Sequence, residues 1–87
     1  MPYINTEKRK HYLVRPLNEV IPFSSGDLNY CITVLCQNYM TLGDYKQMND
    51  VLGALEGAKQ EFYRRVVVPY EGQKKDQNGD VYETDAR

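Results

Sequence analysis

Apolar residues recur along this chain with a helical period in two long stretches. From Asp44 to Val68 the residues Met48, Val51, Leu52, Leu55, Ala58, Phe62 and Val66 fall on one face when placed at about 100° per residue. That face is wide enough to pack on a core, with Tyr45 and Tyr63 flanking one edge and Lys59 near it. Asp44 is placed to cap the helix, with Gln47 at the capping-box position. Pro69 is expected to end it at Val68, because proline disfavours helix in the residue before it and has no N–H. The second stretch follows Ser24 and Asp27, which have capping-box spacing. Leu28, Cys31, Ile32, Leu35, Tyr39 and Leu42 then share one face of a helix over about 27–42.

Gly43 suits the end of that helix and leaves a very short connection, which predicts an antiparallel helical hairpin of about 27–42 and 44–68. Its core is expected to set Leu28, Ile32, Leu35 and Tyr39 against Leu52, Leu55 and Phe62. Upstream, Asn5 is placed to cap a short helix from Thr6 to Val14, with Glu7 in its first turn. A second short helix, Leu17 to Ile21, is bracketed by Pro16 and Pro22. Leu13, Leu17, Val20, Ile21 and Phe23 are expected to tuck onto the longer helices. The fold expected is all-α: two short N-terminal helices and the hairpin form a single domain over 1–70, and 71–87 form a polar C-terminal tail. Asn78-Gly79 reads as a turn in that tail, which is flexible by composition; a strand pair with Val81-Tyr82 on one arm is the alternative.

Two polar patterns change this picture. From Leu28 to Gly43 there is no Asp, Glu, Lys or Arg. A surface helix of a soluble monomer normally carries charge on its outer face, so contact on more than one side is expected, and with it a homo-oligomer. Gly53 and Gly57 lie opposite the apolar stripe of the long helix. A mid-helix glycine costs about 1 kcal/mol relative to alanine, so either a second helix or a ligand comes close to the backbone there, or a helix held by its other face simply tolerates the weak spot. Tyr30, Val34, Gln37, Gly53 and Gly57 are the candidate oligomer or partner interface.

At 87 residues the chain makes one small domain, a size at which association commonly supplements a small core. Its net charge of −1 gives no global pull toward nucleic acid or an anionic membrane. No apolar run is long enough to span a bilayer, and Met1–Tyr12 has no signal-peptide core, so cytoplasm is the expected compartment. Cys31 and Cys36 point in different directions on a helix and read as small buried apolar residues. Eight tyrosines and no tryptophan suit half-buried surfaces.

Little in the chain speaks for catalysis. There is one histidine and no paired Cys-x-x-Cys motif, so neither a metal site nor any cofactor is expected. Asp76, Asn78 and Asp80 fail as a calcium loop, since Val81 stands where that loop needs glycine and Arg87 where it needs glutamate. No phosphate-cradling or nucleophile-elbow motif occurs. The expectation is a non-enzyme. Tyr63-Arg64-Arg65 is the candidate anion-binding cluster: guanidinium groups grip phosphates in bidentate fashion and tyrosine rings stack on bases. Complementing the dipole at a helix C-terminus is the plainer role for these arginines. Lys8, Arg9, His11 and Tyr12 form a second candidate anion site, with a solvated helix face as its plainer alternative.

Gly26-Asp27-Leu28-Asn29-Tyr30 with Ile32-Thr33, Asn49-Asp50-Val51-Leu52-Gly53, Glu61-Phe62-Tyr63-Arg64-Arg65-Val66-Val67, Pro69-Tyr70-Glu71 and Asn78-Gly79-Asp80-Val81-Tyr82 resemble a family of short bacteriophage and prophage proteins grouped as a domain of unknown function. The resemblance covers roughly residues 26–82. It implies a phage-type origin, with the host cell cytoplasm as the compartment, and it implies no activity. The leading expectation is therefore a homo-oligomeric phage accessory protein that captures a small nucleotide-like anion in counter-defence. The alternatives are an interaction module that blocks or redirects a host protein, and a small structural part of a virion.

Overall fold

The computed structural model describes residues 3–82. The protein is all-α, and no strand occurs among the described residues. Helix α1 spans Thr6–Leu13, α2 Ser25–Tyr39, α3 Tyr45–Phe62 and α4 Val68–Asn78. The chain divides within α3 into two compact units, Met1–Val51 and Leu52–Arg87.

In the first unit the expected start signals act as read. The Asn5 side chain accepts from the Lys8 N–H and caps α1. Ser24 accepts from the Asp27 N–H at 3.1 Å and opens α2. The second short helix differs from expectation: only a single 3-10 turn forms, Leu17–Glu19. Pro16 fixes its start, Pro22 disfavours helix at Ile21, and the span between them is too short for α-helical turns to propagate. Leu13, Leu17, Ile21 and Phe23 stay exposed instead of tucking in.

Helix α2 also stops at Tyr39, three residues before the expected Leu42. Gln47 explains the early stop. Its Oε1 accepts from the N–H groups of Leu42 and Gly43, and its Nε2 donates to the Tyr39 carbonyl and the Thr41 hydroxyl. One amide thereby satisfies four groups of the connection, which turns through Gly43 at φ +68°, a conformation suited to glycine. Asp44 caps α3 as expected, accepting from the Gln47 N–H at 2.9 Å. The Tyr39 hydroxyl and the Lys46 ammonium both donate to Asp50, at 2.8 and 3.1 Å, fastening the end of α2 to the first turns of α3.

In the second unit Pro69 does not end the helix. A π turn, Tyr63–Val67, leads directly into α4, and the Val68 N–H donates to the Tyr63 carbonyl five residues back. The wider turn makes room for the proline ring, which has no N–H to give to the carbonyls of the turn before it. The expected polar tail therefore begins as helix and remains so to Asn78. Gly79 closes α4 at φ +88°, its N–H donating to the Lys75 carbonyl at 2.8 Å. Val81 and Tyr82 follow in a bend, with the Tyr82 N–H donating to Asp80.

The core expected for the hairpin pairs residues of the first unit with residues of the second, and neither unit supplies it alone. Leu28, Ile32, Leu35 and Tyr39 are exposed, and so are Leu52, Leu55 and Phe62. Among the described residues only Tyr12 and Asp27 are buried.

Candidate functional site

Among the described residues the buried polar site lies in the first unit, where α1 meets the start of α2. Asp27 is fully buried, and Tyr12 is 5% exposed. The Tyr12 hydroxyl donates to Asp27 Oδ2 at 2.6 Å and accepts from the Phe23 N–H at 3.2 Å. Ser24 Oγ donates to Asp27 Oδ1 at 3.0 Å, and the Lys8 ammonium lies 3.4 Å from the same oxygen. Every polar atom of the knot has a partner, which a buried carboxylate requires. The hydrogen bond from Tyr12 holds the Asp27 carboxyl below its ordinary value, outweighing the upward push of burial, with Ser24 and Lys8 adding to the fall. Tyr12 moves the other way: burial raises its hydroxyl, and the bond to the Asp27 carboxylate adds to that.

This arrangement gives part of the expected N-terminal anion site a structural role. Lys8 and Tyr12 are turned onto a carboxylate of the chain itself. Arg9 donates from Nε to the Ile4 carbonyl at 2.8 Å, and its guanidinium carbon lies 5.8 Å from the Tyr30 ring centre. His11 stands edge-on to Tyr12 and 3.4 Å from an Arg15 nitrogen. Tyr30, named as an interface residue, is half-buried under Arg9. Beside the knot is a small apolar groove of about 200 Å³, whose lining includes Leu13, Leu17, Val20, Cys31, Val34 and Leu35. Both cysteines are free and half-buried, rather than fully buried as expected, and burial raises the Cys31 thiol.

In the second unit Glu61 receives both candidate arginines, Arg64 and Arg65, as ion pairs along the helix surface. Their hydrogen bonds, Arg65 first, draw the Glu61 carboxyl below its ordinary value. The two guanidinium groups thus share one carboxylate and leave a local excess of one positive charge. Tyr63 lines a shallow depression with Val68, Glu71, Lys74, Lys75 and Asp80. Lys74 lies 5.6 Å from the Tyr70 ring, and Lys75 lies 3.8 Å from Asp80. Among the described residues, nothing beyond the adjoining backbone of α3 lies within 4 Å of where a Cβ at Gly53 or Gly57 would stand. The glycine face is open, and no described residue supplies the neighbour expected there. Val34 is half-buried and Gln37 exposed on α2.

Among the described residues no cluster of His, Cys, Asp and Glu could hold a metal ion, and no helix is long and apolar enough to cross a membrane. The family's sequence model matches residues 1–81. The chain belongs to the family described as domain of unknown function DUF6899. The DUF6899 match takes in the N-terminal third that the sequence resemblance left out, and with it both sides of the Asp27 knot, since Lys8, Tyr12, Ser24 and Asp27 all fall inside it. No curated protein and no solved structure matches the chain.

The Asp27 knot was not legible as a site. Ser24 and Asp27 announced a helix start, but nothing in the spacing of Tyr12 and Asp27, 15 residues apart, signals that they meet. The sequence cue that was available is the placement of an acid in the first turn of a helix otherwise free of charge.

Proposed function

We propose that this protein is a non-enzymatic interaction module that works as a homo-oligomer. The observation that carries this reading is the mismatch between its apolar surface and its core. Leu28, Ile32, Leu35 and Tyr39 on α2, and Met48, Leu52, Leu55 and Phe62 on α3, are 38–64% exposed. Chains of this size need a buried apolar core to offset conformational entropy, and a second chain is the available source of cover. The absence of Asp, Glu, Lys and Arg from Leu28 to the end of α2 supports the same reading, because past Asp27 that helix carries no charged residue on any face. The phage-type origin that the resemblance implies would put the assembly in the host cytoplasm, and the charge-free stretch and the glycine face motivate a host protein as its target.

Sedimentation equilibrium on the purified chain tests this. The expected mass is an integral multiple of 10.1 kDa. A mass of one chain across the micromolar range, with the helices formed, contradicts the reading.

A second reading keeps the anionic ligand. It is favoured by the place of Tyr63 in the π turn, a feature that recurs at functional sites, beside Lys74 and Lys75. The pairing of Arg64 and Arg65 with Glu61 weighs against it. Calorimetry with cyclic di- and trinucleotides decides: heat that disappears in Tyr63→Ala supports a nucleotide ligand, and no heat with any of them removes it.

A further inference from the structure

Along α3 the residues Tyr45, Met48, Leu52, Leu55, Lys59 and Phe62 follow one another at steps of 3, 4, 3, 4 and 3. This is the spacing of a coiled-coil seam, in which a and d positions alternate. Tyr45, Leu52 and Lys59 occupy a positions; Met48, Leu55 and Phe62 occupy d. The apolar members are open to solvent, from Leu55 at 39% to Tyr45 at 75%. The seam starts at the first residue of the helix and stops at the last, because the π turn after Phe62 carries later residues out of phase. Gly53 and Gly57 fall at outward b and f positions, consistent with the open space around them.

We propose that α3 pairs with α3 of a second copy, antiparallel, about a two-fold axis passing between Leu52 and Leu55. This rests on the homo-oligomer reading above and names its interface. The step sequence 3-4-3-4-3 reads the same from either end, so the stripe is its own complement under a two-fold rotation, as an isologous contact requires. In the register that uses the whole helix, Tyr45 lies opposite Phe62, Met48 opposite Lys59, and Leu52 opposite Leu55 of the second copy. Val51 and Ala58 face each other along one flank.

Lys59 decides the direction. A parallel pair would bring two Lys59 ammonium groups into one layer, where like charges repel. The antiparallel pair separates them and sets each stem against a methionine. Glu56 lies 3.9 Å from the Lys59 ammonium in its own chain, at the polar edge of the seam. The stem can pack in the seam while the charge stays at that edge. With Lys59 met by a carboxylate of its own chain, the stripe presents no unpaired charge that would select a foreign partner over a copy of itself. Six layers make a short seam, so dissociation in the micromolar range is expected.

Light scattering over a concentration series, on the full chain and three variants, tests the interface. Leu55→Lys places a charge in the central layer and raises the dimer Kd on the order of 100-fold or more. Met48→Glu is the directional test: the new carboxylate meets Lys59 of the second copy in the antiparallel seam and the dimer persists. In a parallel seam it would meet its own equivalent and the dimer would fall apart. Gly57→Leu, on the outward face, leaves the mass unchanged. A wild-type monomer overturns both the homo-oligomer reading and the seam. A wild-type oligomer that survives Leu55→Lys, or that is dissociated by Met48→Glu or by Gly57→Leu, leaves self-association standing and overturns the antiparallel seam.

Discussion

Tyr12 and Asp27 hold each other in opposite protonation states. The buried carboxylate accepts from Tyr12, Ser24 and Lys8, so its charged form is favoured over that of an aspartate in the unfolded chain. A carboxyl whose folded value lies below its unfolded value of about 3.8 contributes stability that is complete above the unfolded value and is lost as pH falls through the folded one. Melting temperature should therefore begin to fall as pH drops below about 4 and go on falling through the lower, folded-state value. Asp27→Asn should lower Tm at pH 7 by roughly 5–10 °C and flatten that acid limb. An acid limb equally steep in Asp27→Asn would remove the knot from the account. Only half of this was visible in the sequence: local spacing announced the Ser24–Asp27 cap, whereas the Tyr12 bond is tertiary and has no local signature. Lys8 and Tyr12 were read as a ligand site because a basic run beside aromatics looks alike whether its counter-ion is foreign or belongs to the same chain.

The starts of α1, α2 and α3 were legible, because caps are local: Asn5, Ser24 and Asp44 all accept from backbone N–H groups three residues on. The ends were less so. Gln47 draws off the last residues expected in α2, and the π turn lets the chain carry helix past Pro69, so α4 occupies part of the expected tail. Both outcomes depend on partners outside the residues that signal them. The glycines of α3 give a check at this scale. Gly53→Ala and Gly57→Ala each add a methyl into open space, so each should stabilise the helix by about 1 kcal/mol, read as a rise in Tm of roughly 4–8 °C. A fall in Tm, or a change of mass, would mean that a neighbour sits against the glycine face after all.

The helical period of the apolar positions in α2 and α3 was legible and the all-α class follows from it, although Leu42 falls past the end of α2 and Val66 in the π turn. What covers the stripes was not in the pattern: spacing tells which residues seek burial but not whether the cover comes from the same chain or another. Each unit leaves its stripe exposed, which is the basis for the homo-oligomer and for the α3 seam. The most direct test is the concentration dependence of thermal unfolding. Folding that is completed by association ties stability to protein concentration by mass action. We predict that Tm, followed by the helical circular dichroism signal, rises by several degrees between about 2 and 200 µM chain. A Tm that stays constant across that range would contradict the account, because it would mean that one chain alone holds this fold.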